Sequence, residues 1–203
     1  NTLNYGITGR ALKDKLIDAA TYQKDAEEFW PERIAKIYLR YQEALQKANA
    51  LDFDDLIMLT VSLFLKEPDV LEKYQSRWPY ILVDEAHDTN LSQYKLINLL
   101  AQKNRNICLI ADIDQSIYSW RGADFRNILN FERDYPETKV VFLEENYRST
   151  KNILEASHQV IVKNKERKEK KLWTENPTGE PIQIIEVKDE EEEGEFIVQE
   201  INN

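Results

Sequence analysis

The sequence has few residues that cross-link or interrupt a chain: one cysteine, five glycines and six prolines in 203 residues. A single cysteine cannot form an internal disulfide, which excludes a disulfide framework and favours a reducing, cytoplasmic compartment. Because Cys108 lies inside an apolar run, we expect it to be a buried free thiol. Because glycine and proline are scarce, no long flexible linker is evident. No apolar run approaches the ~18 residues that a membrane-spanning helix requires.

Positive charge is also in deficit, because 37 acidic residues outnumber 27 lysines and arginines and give a formal net charge of −10. This balance argues against a basic, nucleic-acid-binding surface over the whole protein. The distribution is uneven, since residues 163–171 are locally basic and residues 186–195 are strongly acidic. The acidic run is most simply a solvated helix face.

Apolar spacing predicts helices in the first part of the chain and a mixed structure in the second. Helical spacing runs through residues 11–50 and again from residue 53 to a stop before Pro68. Short apolar runs then alternate with amphipathic stretches, which is typical of an α/β fold with a mostly parallel sheet. The predicted strands are 80–84, 107–112, 139–143 and 182–187, and the predicted helices are 91–102, 123–134, 150–163 and 190–201. A domain boundary is expected near Pro136.

Two adjacent carboxylates, Asp84 and Glu85, follow the first predicted strand. Ligands of open parallel sheets bind at the carboxyl ends of the strands, where this pair would lie. One carboxylate could hold Mg²⁺ beside a nucleotide, and the other could orient or deprotonate the attacking water. The alternative is a pair of acids that caps the following helix, and the pair alone does not decide between the two.

Residues 112–124 follow the next predicted strand, so they would lie beside the acidic pair. Gln115 is suited to contact a terminal phosphate or a positioned water. Tyr118, Trp120 and Arg121 stand together in a predicted loop, which favours stacking of the rings on unpaired bases and contact of the cation with phosphate. The alternative is that both aromatic residues anchor the core.

A third polar segment, residues 144–150, ends the strand predicted before it. Tyr147 can stack on a purine, and Arg148 can reach a γ-phosphate as an arginine finger. The alternative is a helix cap at Ser149 or Thr150 beside an incidental aromatic and a surface arginine. Both interpretations can hold together, and we expect Ser149 to be a cap.

Two further groups resemble metal sites only at first sight. Three aspartates lie within residues 52–55. They could bind a cation, as in a metal-dependent nuclease, but a helix cap at Asp52 with acids that complement the helix dipole explains them better. His87 and His158 have no histidine or cysteine partner at ligand spacing, which argues against zinc.

Four sequence words in a fixed order resemble a known family. They are Leu-Asp-Phe-Asp-Asp-Leu at 51–56, Val-Asp-Glu-Ala-His-Asp-Thr-Asn at 83–90, Asp-Ile-Asp-Gln-Ser-Ile-Tyr-Ser-Trp-Arg-Gly-Ala-Asp at 112–124, and Glu-Asn-Tyr-Arg-Ser-Thr at 145–150. From about residue 30 onward the sequence is similar to the UvrD/Rep/PcrA family of superfamily 1 DNA helicases, nearest to its PcrA branch.

The resemblance implies an incomplete RecA-like motor of the P-loop NTPase class, preceded by a helical subdomain. Residues 1–50 would belong to an inserted helical subdomain, 51–137 to the second part of the first motor domain, and 138–203 to the start of the second. The implied ligands are ATP and Mg²⁺, and the implied partners are single-stranded DNA and junctions of single-stranded with duplex DNA. The implied activity is 3′-to-5′ movement with duplex unwinding.

The resemblance also implies a role for each candidate residue. Asp84 would bind Mg²⁺ and Glu85 would be the general base. Gln115 and Arg148 would contact the γ-phosphate, and Tyr147 would stack on adenine. Single-stranded DNA would be bound by Tyr118, Trp120 and Arg121.

The sequence departs from the family at three positions and in one larger respect. The family usually has Tyr-Gln at Ala86-His87 and Gly at Ala111. A histidine at 87 would either make the coupling contact of the usual glutamine or weaken that contact at a pH where the imidazole becomes charged. No G-x-x-x-x-G-K-[ST] phosphate loop occurs, and the chain starts at Asn1. We therefore expect the central part of a longer helicase, inactive alone. The alternative is a degenerate helicase-derived DNA-binding or scaffold protein without ATPase activity.

Overall fold

The computed structural model describes residues 9–164 and 169–202, in two compact units with their boundary between Lys139 and Val140. In the first unit, helical residues 9–14 precede α1 (Ala19–Asp25), α2 (Phe29–Lys47), α3 (Phe53–Lys66), α4 (Pro68–Arg77), β1 (Ile81–Val83), α5 (Leu91–Ala101), β2 (Ile107–Leu109) and α6 (Arg126–Asp134). The second unit contains α7 (Lys151–Ile161) and α8 (Glu190–Asn202). Within the described ranges, no helix is long and apolar enough to cross a membrane.

Helices α1, α3 and α5 of the first unit begin where a neighbouring side chain caps the first turn. At the start of α3 the Asp52 side chain accepts the Asp55 N–H at 2.8 Å, and the Asp55 side chain accepts the Asp52 N–H at 3.3 Å. This reciprocal capping box satisfies N–H groups that a helix start leaves without partners. Pro68 opens α4, where its fixed φ suits a first helical turn. The helices predicted before residue 68 are therefore confirmed.

The two strands pair in parallel and are joined by α5, which makes one βαβ unit. The register places Ile81 beside Ile107 and Val83 beside Leu109. One face of the sheet packs on a core of buried residues from α5 and α6 and their ends, namely Tyr94, Ala101, Phe131 and Tyr135. The predicted parallel α/β arrangement is confirmed for this unit, within a molecule that is otherwise mostly helical.

The opposite face of the sheet is exposed, which corrects the prediction for Cys108. Side chains alternate between the two faces of a strand, so residues between the core-facing positions point the other way. Leu82 and Cys108 stand opposite each other at those positions; Leu82 is 73% exposed and Cys108 is an exposed free thiol. The prediction of a buried thiol is wrong, because an apolar run indicates a strand but does not indicate which face of the sheet is covered.

The prediction of strands at 139–143 and 182–187 is wrong, because neither segment pairs with a neighbouring strand. A strand exists only where a neighbour shares its backbone hydrogen bonds, and alternating apolar residues do not supply that neighbour. Leu143 is 80% exposed and Ile184 is 97% exposed. In the described part of the second unit, the parallel pairing is a single bridge between Glu145 and Trp173.

The start of α7 corrects the expected cap at Ser149. Thr150 is the N-cap residue, and its side chain makes no capping hydrogen bond. The N–H groups of Lys151 and Asn152 instead donate to backbone carbonyls of residues 177 and 178, at 3.2 and 3.1 Å. A distant loop thus caps this helix, which local sequence cannot reveal. The helix predicted at 190–201 is confirmed as α8.

Candidate functional site

The acidic pair lies at the carboxyl end of β1, in a strained turn. Glu85 has φ 50° and ψ 39°, a left-handed conformation that is uncommon for a residue with a side chain. Its N–H donates to Oδ1 of Asp84 at 2.9 Å, and its side chain is 70% exposed. Helix α5 is capped by Asn90 with Gln93 in a capping box. The acids therefore do not cap that helix, and the capping alternative is wrong.

An open cavity of about 380 Å³ lies against this turn and is lined by Asp84, Glu85, Asp88, Thr89, Gln93, Leu96 and Ile97. Oδ1 of Asp88 is buried and has no hydrogen-bond partner among residues 9–164 and 169–202. Carboxylate and hydroxyl oxygens are the donors that Mg²⁺ prefers. No cluster of three or more acidic, histidine or cysteine residues in those ranges could enclose a metal ion. The donor set thus fits a cation held by one or two carboxylates, with phosphate and water completing its coordination.

Hydrogen bonds hold the loop after β1 against the loop after β2. The Ala86 N–H donates to the Ile110 carbonyl at 2.9 Å. The Thr89 carbonyl accepts the Asp124 N–H at 3.0 Å and Nδ2 of Asn127 at 2.8 Å. The predicted proximity of residues 112–124 to the acidic pair is confirmed. Asn127, which is buried, was not singled out from the sequence, because a lone asparagine in an amphipathic helix gives no signal.

Gln115 lies in a 3₁₀ turn, Ile113–Gln115, directly after β2. Its Nε2 donates to Oδ2 of Asp112 at 2.8 Å, and the side chain is otherwise exposed. The structure therefore places Gln115 beyond the carboxyl end of β2, with its amide bound to Asp112.

The aromatic pair lies at the next 3₁₀ turn: Trp120 is within Ser119–Arg121, Tyr118 directly precedes that turn, and both side chains are exposed. Trp120 is 71% exposed, so it is not a core anchor. The guanidinium carbon of Arg121 lies 5.0 Å from the ring centre of Tyr118 and 4.6 Å from that of Trp120. The two ring centres are 6.3 Å apart. This arrangement presents two rings and a cation together at the surface, which is the composition of a single-strand-binding platform.

Asp14 connects the helical segment to both loops. Its Oδ1 accepts Nδ2 of Asn90 at 2.6 Å, and a Cβ at Gly122 would lie 2.9 Å from its Oδ2. Gly122 has φ 87°, so glycine is required there for backbone conformation and for space. Burial, and then the nearby Asp54 carboxylate, raise the pKa of Asp14, against the opposing effect of Arg10. Sequence reasoning missed Asp14 because its partners are distant along the chain.

The three aspartates at 52–55 are engaged with protein groups. Lys13 is buried and forms ion pairs with Asp52 and, at 2.8 Å, with Asp55. Burial opposes ionisation of Asp52, but hydrogen bonds from Lys13, the Asp55 N–H and Tyr41 outweigh it and lower the pKa of Asp52. The interpretation of Asp52 as a helix cap is confirmed, and the nuclease interpretation gains no support.

In the second unit, Tyr147 and Arg148 lie in a turn that Asn146 organises. Oδ1 of Asn146 accepts the N–H groups of Arg148 and Ser149 at 3.0 and 2.8 Å. Both candidate side chains are exposed. The Tyr147 hydroxyl donates to Oε2 of Glu145 at 2.6 Å, and this hydrogen bond raises the pKa of Tyr147.

Comparison with known proteins identifies two helicase domains in this sequence. Residues 4–136 match the UvrD/REP helicase N-terminal domain, and residues 141–203 match the UvrD-like helicase C-terminal domain. The chain is 53% identical over 190 residues to the ATP-dependent DNA helicase PcrA of Staphylococcus epidermidis and equally to that of Staphylococcus aureus. These matches cover 94% of the chain and 26% of each relative, so the chain spans about a quarter of their length. The chain belongs to the UvrD/REP helicase family.

Proposed function

We propose that the chain is the central part of an ATP-dependent DNA helicase or translocase that moves 3′ to 5′ on single-stranded DNA and unwinds duplexes. The observation that supports this most is the acidic pair at the end of β1, whose loop is hydrogen-bonded to the loop that exposes Trp120. Groups suited to hydrolysis and to base stacking thus lie on adjacent loops of one βαβ unit. The relatives that the chain matches are named ATP-dependent DNA helicases.

Hydrolysis would be divided between the two carboxylates. Asp84 would hold Mg²⁺, which supplies positive charge beside the transferred phosphoryl group when bound with ATP. Glu85 would accept a proton from the attacking water. Gln115 would contact the γ-phosphate, and its amide would leave Oδ2 of Asp112 to do so. Binding of ATP would thereby change the hydrogen bonding of the loop that continues to the aromatic pair.

Single-stranded DNA, including its junctions with duplex DNA, would bind at the aromatic loop. Bases would stack on Tyr118 and Trp120, and Arg121 would contact phosphate. Because the guanidinium of Arg121 lies over both rings in this structure, DNA binding would require it to move from the ring faces.

Two residues of the second unit would contact nucleotide in the whole protein. Tyr147 would stack on adenine, and Arg148 would stabilise charge on the γ-phosphate. In this proposal residues 1–50 are an inserted helical subdomain, residues 51–137 belong to the first RecA-like motor domain, and residues 138–203 start the second. The uncovered face of the β1–β2 sheet supports the assignment to a larger motor domain, because parallel sheets of α/β proteins are covered on both faces. The protein would act in the cytoplasm.

The complete protein tests this proposal through its ATPase and unwinding activities. We expect single-stranded DNA to stimulate ATP hydrolysis, and a duplex with a 3′ single-stranded tail to be unwound in preference to one with a 5′ tail. The isolated 203-residue chain should hydrolyse ATP negligibly, since it has no phosphate loop.

Two results would contradict the proposal in different ways. Robust DNA-stimulated hydrolysis by the isolated chain would rule out the interpretation as an inactive central part. A folded complete protein that binds DNA without hydrolysing ATP would favour the degenerate DNA-binding or scaffold protein.

A further inference from the structure

His87 connects the loop after β1 to the loop after β2 through its ring. The side chain is buried, only 2% exposed, in the 3₁₀ turn Ala86–Asp88. Its Nδ1 accepts the Asp112 N–H at 3.0 Å. A neutral imidazole has one accepting and one donating nitrogen. The proton of neutral His87 is therefore on Nε2.

The Nε2–H of His87 faces two carboxylates. Nε2 lies 3.5 Å from Oε2 of Glu85 and 3.6 Å from Oδ1 of Asp88. Both separations are longer than a formed hydrogen bond, and catalytic hydrogen bonds of this length often tighten when substrate binds. Oδ1 of Asp88 is one of three buried side-chain oxygens that have no hydrogen-bond partner in the described part of the chain. Asp88 therefore competes with Glu85 for one N–H donor.

The other side of the His87 ring leads to Gln115. Asp112, whose N–H is bound by Nδ1, also accepts Nε2 of Gln115 at 2.8 Å. Ser116, the next residue, donates its hydroxyl to the His87 carbonyl at 3.4 Å. Asp112 thus links Gln115 to the imidazole, so a displacement of Gln115 would alter the hydrogen bonding of the His87 ring through this one residue.

We propose that His87 is a positioning residue that orients the Glu85 carboxylate according to the state of the Gln115 loop. Nδ1 anchors the ring to the Asp112 amide, and Nε2–H directs the carboxylate of Glu85 toward the position of the attacking water. The inference rests on the proposed function, because it requires Glu85 to act as the base.

The two ring nitrogens can be tested separately in the complete protein. The side-chain oxygen of His87→Asn replaces the acceptor at Nδ1, but this variant has no donor at the position of Nε2. The longer amide of His87→Gln places a donor near Nε2 and removes the Nδ1 acceptor. His158→Asn is the matched control, because the only other histidine is exposed on α7.

We expect His87→Asn to lower the kcat of DNA-stimulated ATP hydrolysis by at least about tenfold, with the KM for ATP changed by less than about threefold. Its melting temperature should stay close to that of the wild type. His87→Gln should recover much of the lost kcat despite a lower melting temperature. In a Glu85→Gln background, His87→Asn should cause no further loss, since both changes act on one group.

Several outcomes would overturn the inference. The first is a wild-type kcat in His87→Asn, and the second is failure of this variant to fold. The third is a loss of kcat that parallels the loss of melting temperature in both His87 variants. The fourth is an equal loss of kcat on adding His87→Asn to the wild type and to Glu85→Gln. Failure of the proposed function gives a different result, because the wild type itself would then show no DNA-stimulated hydrolysis.

Discussion

Exposure divides the aromatic residues of the first unit into two groups with different consequences. Trp120 presents most of its surface to solvent, whereas Tyr94 is buried in the core beneath the sheet. An exposed ring beside Arg121 contributes little to folding and is available to a ligand. A buried tyrosine contributes to stability, and its hydroxyl requires a partner. Substitution at these two positions should therefore affect different measurements.

Replacing Trp120 with alanine should weaken binding of single-stranded DNA by about 1–3 kcal/mol, the usual contribution of one base stack. The measurement is a fluorescence-anisotropy titration of an oligonucleotide with the complete protein at fixed salt. Trp30→Ala serves as the control, since Trp30 is also exposed, at 58%, but lies on α2. Unchanged DNA affinity in Trp120→Ala would show that the stacking assignment is wrong.

Replacing Tyr94 with phenylalanine should change the stability of the protein at alkaline pH. Burial, and then the hydrogen bond to Asp134, raise the pKa of Tyr94 to about 12. Since the folded-state pKa exceeds the unfolded value of ~10, the protonated tyrosine stabilises the fold below pH ~10. That stability is lost as the pH rises through about 12.

The comparison is the unfolding midpoint of wild type and Tyr94→Phe at pH 8 and across the alkaline range. Loss of the Asp134 hydrogen bond should make the variant less stable by roughly 1 kcal/mol at pH 8. The difference should shrink as the pH rises from ~10 to about 12. A constant difference over that range would contradict the account.

At the scale of elements, the position of the site depends on how two loops are joined. The loop after β1 and the loop after β2 are held together by backbone groups, by the His87 ring and by Asn127 of α6. None of these contacts belongs to the two-stranded ladder itself. The sheet brings the loops to one edge, and the side chains fix their relative position.

Replacing Asn127 with alanine should destabilise the first unit by roughly 1–3 kcal/mol, because hydrogen bonds to the Thr89 and Asn90 carbonyls are lost inside the protein. The unfolding midpoint in denaturant measures this. Asn130→Ala, on the same helix, should change stability by less than about 0.5 kcal/mol, because Asn130 is only partly buried. Equal effects of the two changes would refute the role of Asn127 as a connection between loops.

Elements that depend on local chemistry could be predicted, and those that depend on distant partners could not. Helix α3 follows from Asp52 and its capping box, and the βαβ unit follows from apolar runs on either side of an amphipathic stretch. The exposure of Cys108, the cap of α7 and the missing strand at 182–187 depend on which distant segment covers or pairs with each. Sequence spacing gives no information about such partners.

The candidate site divides in the same way. The residue types and order of Asp84, Glu85 and Gln115 were sufficient to predict that these residues lie together at one edge of a sheet. The contact between His87 and Asp112, and the position of Asp14 between two loops, arise only when the chain is folded. Their partners are far apart in sequence, and no periodic pattern connects them.

At the scale of the whole molecule, the net charge of −10 places limits on how the proposed binding of DNA would occur. In the proposed function, a chain of this charge would not rely on general attraction to phosphate, and the local platform of aromatic rings and Arg121 would supply the binding instead. The exposed apolar residues of 140–143 and the uncovered sheet face support the proposal that the chain works within a larger assembly of domains. We propose that this chain supplies the hydrolytic base of such an assembly.

The most direct test is Glu85→Gln in the complete protein, measured by nucleotide binding and by DNA-stimulated ATP hydrolysis. An amide cannot accept the proton, so turnover should fall by about a hundredfold or more while binding of a fluorescent ATP analogue is retained. Glu195→Gln, on the exposed helix α8, should leave both measurements unchanged. Turnover at the wild-type rate in Glu85→Gln would contradict the assignment of Glu85 as the base.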